Sequence, residues 1–354
     1  MNTSRQVEVA VLIGRFQPFH NGHASLLRLA LDTAAKVVIV IGSSFHARST
    51  KNPFTWQERA TMIAETLPES ERGRVSYIAM RDYYDDTRWT AAVCKQVELH
   101  ASAARHIALI GHFKDASSYY LHRFPQWHLI AVDEALDVDA LSINATSIRK
   151  VLFEAENIDV SLAVIDQHVP LCIRQYLRAW SLLPHYAALA SEHAQLMAYK
   201  ATWSGAPYPP VFSTADAVVK ADEHVLLIQR GGFPGKGLWA LPGGFIEQDE
   251  RVIQAAIREL REETKLAVLT STLENALLDV KVFDHPGRSQ RGRTITHAHF
   301  FDLKTEYFPD VEGADDAATA SWVPIANLRA MEEHFFDDHF HILDCFLGLT
   351  INDA

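Results

Sequence analysis

Gly14-Arg15-Phe16-Gln17-Pro18-Phe19-His20-Asn21-Gly22-His23 follows the apolar run Val7–Ile13 and leads directly into a helical pattern. That pattern, His23–Ala34, sets Leu26, Leu27, Ala30 and Leu31 on one face. Val7–Ile13 reads as a strand, and so does the β-branched run Val37–Ile41. Outward from there, Thr55-Trp56-Gln57-Glu58 is a capping box that opens a helix through Leu67. Val75–Met80 reads as a strand, Trp89–Ala104 as a helix, and Ile107–Gly111 and Leu129–Val132 as strands. Strand and helix alternating at this spacing predict an α/β domain, with a doubly wound, Rossmann-like parallel sheet covered on both faces.

In such a sheet, ligands bind at the C-terminal ends of the strands, where the quoted stretch lies. Gly14 and Gly22 let backbone approach a ligand, and Arg15 and Phe16 stand beside them. His20 and His23 can aim ring N–H groups at phosphate oxygens beside a helix N-terminus that already favours anions. Farther on, Ile143-Asn144-Ala145-Thr146-Ser147-Ile148-Arg149 places Asn144 or Thr146 as a helix cap, with Arg149 one turn in. Gly111-His112-Phe113-Lys114-Asp115 follows another strand end and, with Arg15 and Phe16, is expected to line the nucleotide site, Gly111 as a binding position.

His20-Asn21-Gly22-His23 resembles the HxGH signature of nucleotidyltransferases, and Ile143–Arg149 resembles that superfamily's Ile-Ser-Ser-Thr-x-x-Arg with Asn144 and Ala145 in place of the two serines. Lys51-Asn52-Pro53-Phe54-Thr55, Glu58-Arg59 and Asp82-Tyr83-Tyr84-Asp85-Asp86 with Trp89 look like the NMN adenylyltransferases of the archaeal type. The resemblance implies that Trp89 stacks on nicotinamide, against a competing reading as core packing, and that Asn52 or Arg59 lies near bound nucleotide. It further implies attack of the NMN phosphate on the α-phosphorus of ATP, giving NAD and pyrophosphate, with His20, His23 and Arg149 stabilising the transition state and Mg²⁺ bridging phosphates. Nicotinate mononucleotide and phosphopantetheine are the alternative acceptors.

The second half is organised differently. Ala217–Lys220 and Val225–Gln229 read as a hairpin, Glu250–Thr264 as a helix, and Leu277–Phe283, Ile295–Leu303 and Ser321–Val323 as strands before a helical tail. This is α+β with a mixed sheet. Gly244, then Glu250, then Arg258-Glu259-Leu260-Arg261-Glu262-Glu263-Thr264-Lys265-Leu266 resembles the Nudix box at every position except its last glycine, here Lys265. On a helix, Glu259, Glu262 and Glu263 share one face, a hard-oxygen set suited to Mg²⁺ or Mn²⁺. Arg258 can hold a carboxylate in place, Glu250 is read as opening the helix, and the turn at Gly243 offers a carbonyl ligand. Arg230, Arg291 and Arg293 look like the substrate residues of Nudix enzymes acting on ADP-ribose. The acidic loop Glu312–Asp316 is either a base donor or a solvated loop. The alternative for this half is a ligand sensor without hydrolysis. His334, Asp338 and His341 suggest a metal site but are better explained as an exposed polar helix face.

Between the halves, Ser204-Gly205-Ala206-Pro207-Tyr208-Pro209-Pro210 cannot be helix or central strand. The expected division is therefore a transferase domain over 1–183, a linker with a helix near 186–200 over 184–210, and a hydrolase domain over 211–354. The chain has 354 residues, a length for about two domains, and 48% apolar and 22% charged residues mark ordinary globular composition. A formal net charge of −11 argues against a general nucleic-acid binder but not against nucleotides. The apolar runs are strand-length, and Val7–Ile13 enters a motif without a cleavage pattern, so neither membrane span nor signal peptide is expected. Cys94, Cys172 and Cys345 are far apart, which points to reduced thiols and the cytoplasm. ATP, NMN, NAD and ADP-ribose are the expected small-molecule partners, and a homo-oligomer is compatible with the sequence.

Overall fold

The computed structural model describes residues 7–101, 104–113, 116–132, 144–305 and 307–353. Contacts divide the chain into one unit ending at Ser191 and another running from Glu192 to Asn352.

The first unit is built on β1 (Val9–Gly14), β2 (Lys36–Ile41), β3 (Val75–Ala79), β4 (Ile107–Gly111) and β5 (His128–Ala131). All pair in parallel, in the order β3-β2-β1-β4-β5. The strands read as continuous apolar runs because both faces are covered. Ala10, Leu12, Ile39 and Ile41 enter one core with Leu27 and Leu31, whereas Val9, Val11, Val38 and Val40 enter a second with Val93 and Val97. The longer helices are α1 (Asn21–Thr33), α2 (Trp56–Glu65), α3 (Asp86–Ala101), α4 (Ala145–Glu154), α5 (Ile158–Val164) and α6 (Leu171–Trp180). Thr55 closes the expected capping box: its side chain accepts from Glu58 N–H, and Glu58 accepts from Thr55 N–H. Strand order reverses between β1 and β4, so the crevice opens where the histidine motif leaves β1.

Next, α7 (Pro184–Ala201) fills most of the expected linker as one helix and carries the division between the units. The second unit holds a mixed sheet in the order β10-β11-β6-β7-β12, formed by β6 (Val211–Ala221), β7 (His224–Arg230), β10 (Leu277–Phe283), β11 (Arg293–Asp302) and β12 (Ala317–Pro324). Two short strands, β8 (Trp239–Ala240) and β9 (Gly243–Phe245), pair with β7 and β6. The expected hairpin is real but brief, pairing Lys220 with Val225 and Ala221 with His224. Strand β6 begins well before Ala217, because its first half pairs in parallel with β11, a partner about eighty residues away that local pattern does not reveal.

Across this sheet lies α8 (Val252–Thr264), with α9 (Thr270–Ala276) and α10 (His339–Leu347) completing the unit. Ala256 and Leu260 of α8 are fully buried. Glu250 does not open α8, contrary to expectation; Arg251 is the N-cap, and Glu250 sits in the preceding turn held by Arg258. Lys265 itself adopts the left-handed conformation that ends the helix (φ 52°), with its N–H donating to Arg261 O at 2.9 Å. A side chain there costs roughly 1 kcal/mol relative to glycine. Lys265→Gly should therefore raise the stability of the second unit by about that amount, seen as an upward shift of its thermal midpoint.

Candidate active sites

At the mouth of the parallel sheet, His20 and His23 stack with ring centroids 3.7 Å apart at the start of α1. His23 also meets the rings of Phe16 (4.8 Å) and Phe19 (5.6 Å), which limit its rotation. Phe16 is held in the scaffold around Gly14. It is 5% exposed, takes φ 53°, and lays its ring where a Cβ on Gly14 would come within 2.9 Å of it. Gly22 is buried in the first turn of α1.

Asn144 is the cap, as its side chain accepts from Ser147 N–H at 2.9 Å. The first N–H groups of α4 are thereby aimed from a fixed helix end. Thr146 Oγ1 accepts from Arg149 Nη2 at 3.1 Å, and Arg149 Nη1 donates to Gln17 O at 2.7 Å. The two motifs distant in sequence are thus joined by one guanidinium. Burial, and then the charge of exposed Arg15, bring Arg149 down to about 10. A buried guanidinium beside a second positive charge favours an anion bound next to it. Removing the cap with Asn144→Ala should destabilise the first unit by about 1 kcal/mol and weaken triphosphate binding, measurable by melting and by the KM for ATP.

Several of the expected contact residues are held by the protein's own groups. Arg59 is fully buried, with its donors on the carbonyls of Thr55, Arg15, Gly42 and Ser43, so it shapes the loops at the ends of β1 and β2. Its planar fork satisfies four carbonyls at once. Trp89 meets Tyr120 and Phe124 edge to face, at 6.0 and 5.8 Å, and is partly buried against the second core. At Gly111, a Cβ would lie 2.5 Å from Leu121, so packing accounts for the glycine. Asn52 keeps a buried side-chain oxygen that has no hydrogen-bond partner among the described residues, which leaves it available to a ligand. Ile143, Lys114 and Asp115 lie outside the described residues.

In the second unit, Arg258 is the hub of the acidic helix. It donates to Glu250 (2.7 and 3.0 Å), Glu259 (2.9 Å), Glu262 (2.9 Å) and Phe245 O (3.1 Å). It is a positioning residue, and its side-chain bonds raise its own pKa. Glu262 points to solvent, with its side chain 47% exposed, while Glu263 is 3% exposed and accepts from Gly243 N–H at 2.9 Å. The three glutamates share a helix face without converging on one point. Among the described residues, no three histidine, cysteine or acidic side chains converge closely enough to hold an ion by themselves.

Glu259 and Glu263 are the inner pair. Burial pushes both carboxyls up, Glu263 to about 8, and the charge of Glu259 adds to the rise at Glu263. A Cβ on Gly244 would lie 2.3 Å from Glu259 Oε1, and one on Gly243 would lie 2.3 Å from Asp216 Oδ1, so only glycines allow this approach. Hard oxygens crowded in this way, with too little positive charge among them, fit a divalent cation whose shell is completed by substrate or water. The acidic loop is fastened to the same helix end: Glu312 N–H donates to Thr264 O (2.9 Å) and Ala314 N–H to Glu263 O (3.0 Å). Asp315 contributes to the rise at Glu259.

Beside the carboxylates, Arg230 and Arg291 come together on Phe336, with guanidinium carbons 4.3 and 5.9 Å from the ring centre. Arg291 also lies 5.3 Å from the Phe245 ring, and its buried Nε has no partner among the described residues. Arg293 is different: it ties β11 to the carbonyl of Asp284 across the hairpin. Phe245, Asp216 and Phe336 escaped sequence reading. Phe245 adjoins the motif glycine and was findable; Phe336 lies in a tail without pattern. The dismissed trio also needs a different explanation. Asp338 is 1% exposed and takes Arg288 in a two-point ion pair (2.9 and 2.8 Å), so neutralisation by a buried arginine, not a solvated helix face, accounts for it. His334 and His341 belong to separate helical segments.

Residues 11–96 match the cytidylyltransferase-like family, and residues 211–343 match the NUDIX domain. The fold and sites therefore define a nucleotidyltransferase domain followed by a Nudix domain. A bifunctional NMN adenylyltransferase/ADP ribose pyrophosphatase from Francisella tularensis, solved with AMP and a manganese ion, is 35% identical with a TM-score of 0.87, over 97% of this chain and 99% of that one. The chain belongs to this family of bifunctional enzymes. Over 42% of the chain it is also 36% identical to the nicotinamide/nicotinic acid mononucleotide adenylyltransferase of Acinetobacter baylyi, matching 77% of that protein. An ADP-ribose pyrophosphatase of Methanocaldococcus jannaschii is 34% identical over 32% of the chain and 62% of its own length. Among the described residues, no helix is long and apolar enough to cross a membrane.

Proposed function

We propose that the first unit joins ATP and NMN to give NAD and pyrophosphate, and that the second hydrolyses ADP-ribose to AMP and ribose 5-phosphate. The end-to-end likeness to the Francisella enzyme carries this reading, because both sites fall within one matched chain.

In the first reaction, the NMN phosphate attacks the α-phosphorus of ATP in line, and the work of the protein is positioning and charge neutralisation. His20 and His23 face the transferring phosphate from the start of α1. The N–H groups of α4, with Arg149 and Arg15, hold the departing pyrophosphate. Asn52 offers its unmatched oxygen to the acceptor.

In the second reaction, Glu259 and Glu263, with the Gly243 carbonyl, would hold Mg²⁺ or Mn²⁺, which when bound supplies charge for the diphosphate and an activated water. Arg258 keeps Glu259 in place. Arg230 and Arg291 present positive charge to the diphosphate, and Phe245 and Phe336 offer faces for the adenine.

The test is direct: purified protein with Mg²⁺ should form NAD from ATP and NMN, and AMP from ADP-ribose. Absence of either product sinks that half of the reading. The Acinetobacter relative's name favours a second acceptor. Nicotinate mononucleotide should compete with NMN for the same site in a mixed-acceptor assay.

A further inference from the structure

Helix α7 lies outside both family-matched stretches, yet at its middle it carries a carboxylate with an unusual setting. Glu192 is 8% exposed, and burial pushes its carboxyl up. Its Oε2 accepts from the N–H of Gly235 at 3.1 Å, and the charge of Arg230 acts on it.

Gly235 belongs to the turn that links β7 to β8. The turn is closed on itself by Gly237 N–H to Arg230 O (2.8 Å) and Leu238 N–H to Gly235 O (3.0 Å). At Gly235 the backbone is left-handed (φ 76°), and a Cβ would lie 2.3 Å from the Phe336 ring, so no side chain at this position could anchor the turn. The carboxylate from α7 does so from outside. The same turn holds Arg230, whose Nε donates to Pro234 O at 2.8 Å while the guanidinium lies over Phe336. Among the described residues, the terminal nitrogens of Arg230 have no hydrogen bond, so they are the part left to meet a ligand.

We propose that Glu192 is a positioning residue of the hydrolase, fixing the turn at Gly235 and through it the angle at which Arg230 meets the diphosphate of the substrate. This rests on the reading of the second unit as an ADP-ribose hydrolase. The helix between the two matched domains is thus part of the second active site.

The test uses the full-length protein, with wild-type ADP-ribose hydrolysis as the reference and NAD synthesis as a control for folding. Glu192→Ala should raise the KM for ADP-ribose about tenfold while kcat stays within about threefold, since a charged hydrogen bond that orients a binding group is removed. Glu192→Gln should restore the KM to within about twofold of wild type, because its amide oxygen accepts the same N–H. The double variant Glu192→Ala, Arg230→Ala should have no higher KM than Arg230→Ala alone. An unchanged KM in Glu192→Ala, or losses that simply multiply in the double variant, would overturn the proposal. If Glu192→Ala does not fold, Glu192→Asp, which withdraws the carboxylate by one methylene, carries the same test with a smaller rise. A wild-type protein inactive on ADP-ribose overturns the functional reading instead, and that outcome is seen before any variant is made.

Discussion

Glu263→Gln should lower ADP-ribose hydrolysis by about 10²–10³-fold, the scale of losing one preorganised charged group at a reacting diphosphate. NAD synthesis should be untouched. The same change should make the metal-free protein more stable at neutral and alkaline pH. In the unfolded chain this carboxyl ionises near its ordinary value of 4.5, whereas in the fold, burial holds its proton until about 8. Across that interval the folded state binds more protons than the unfolded one, so stability falls as pH rises from about 4.5 to about 8 and stays low above it. Glutamine has no such loss, and its oxygen can still accept from Gly243 N–H. The variant should therefore melt with wild type near pH 5 and exceed it by about 2–4 kcal/mol at pH 8. Added Mn²⁺ should narrow the gap by stabilising wild type alone. Equal melting at pH 8 in a chelating buffer would show that the carboxylate is not held against its own charge.

The second large effect is expected at His23. His23→Ala should reduce NAD synthesis by about 10²–10³-fold, mainly in kcat, and leave ADP-ribose hydrolysis unchanged. His23 is confined by the His20 ring at 3.7 Å and by Phe16 and Phe19, so its imidazole is placed before substrate arrives. A group oriented in advance contributes where charge develops in the transition state, not uniformly to binding. A wild-type kcat for NAD synthesis in His23→Ala would remove the histidine pair from the chemistry. His23→Asn separates polarity from ring geometry: it supplies an N–H without the stack, and it should recover only a small part of the rate.

A comparison of two arginines explains where sequence reading stops. Arg149 was legible because a helix cap, a phosphate-binding helix end and the arginine one turn later all fall within six residues. Arg59 was equally visible in its motif, but its burial was not. Only the folded chain shows four carbonyls around it, and a guanidinium already surrounded by acceptors has little left to give a ligand. Phe16 and Gly111 follow the same logic, since each stands in a motif at a strand end while its close packing appears only in the folded chain.

By itself the sequence determined the features that depend on short-range spacing. These are the strand–helix alternation that makes the parallel sheet, the His20–His23 pair at a helix start, and the i, i+4 placing of Glu259 and Glu263. Their geometry follows from helix and strand periods within a few residues. Tertiary structure alone decided how the three glutamates are placed. It turned Glu262 out to solvent and buried Glu263 behind Gly243. It also joined Arg230 of β7, Arg291 before β11 and Phe336 of the tail into one surface, and brought Glu192 from α7 to the turn that holds Arg230. Those groups are separated by tens of residues, and they meet because burying charge requires a partner, wherever in the chain that partner lies.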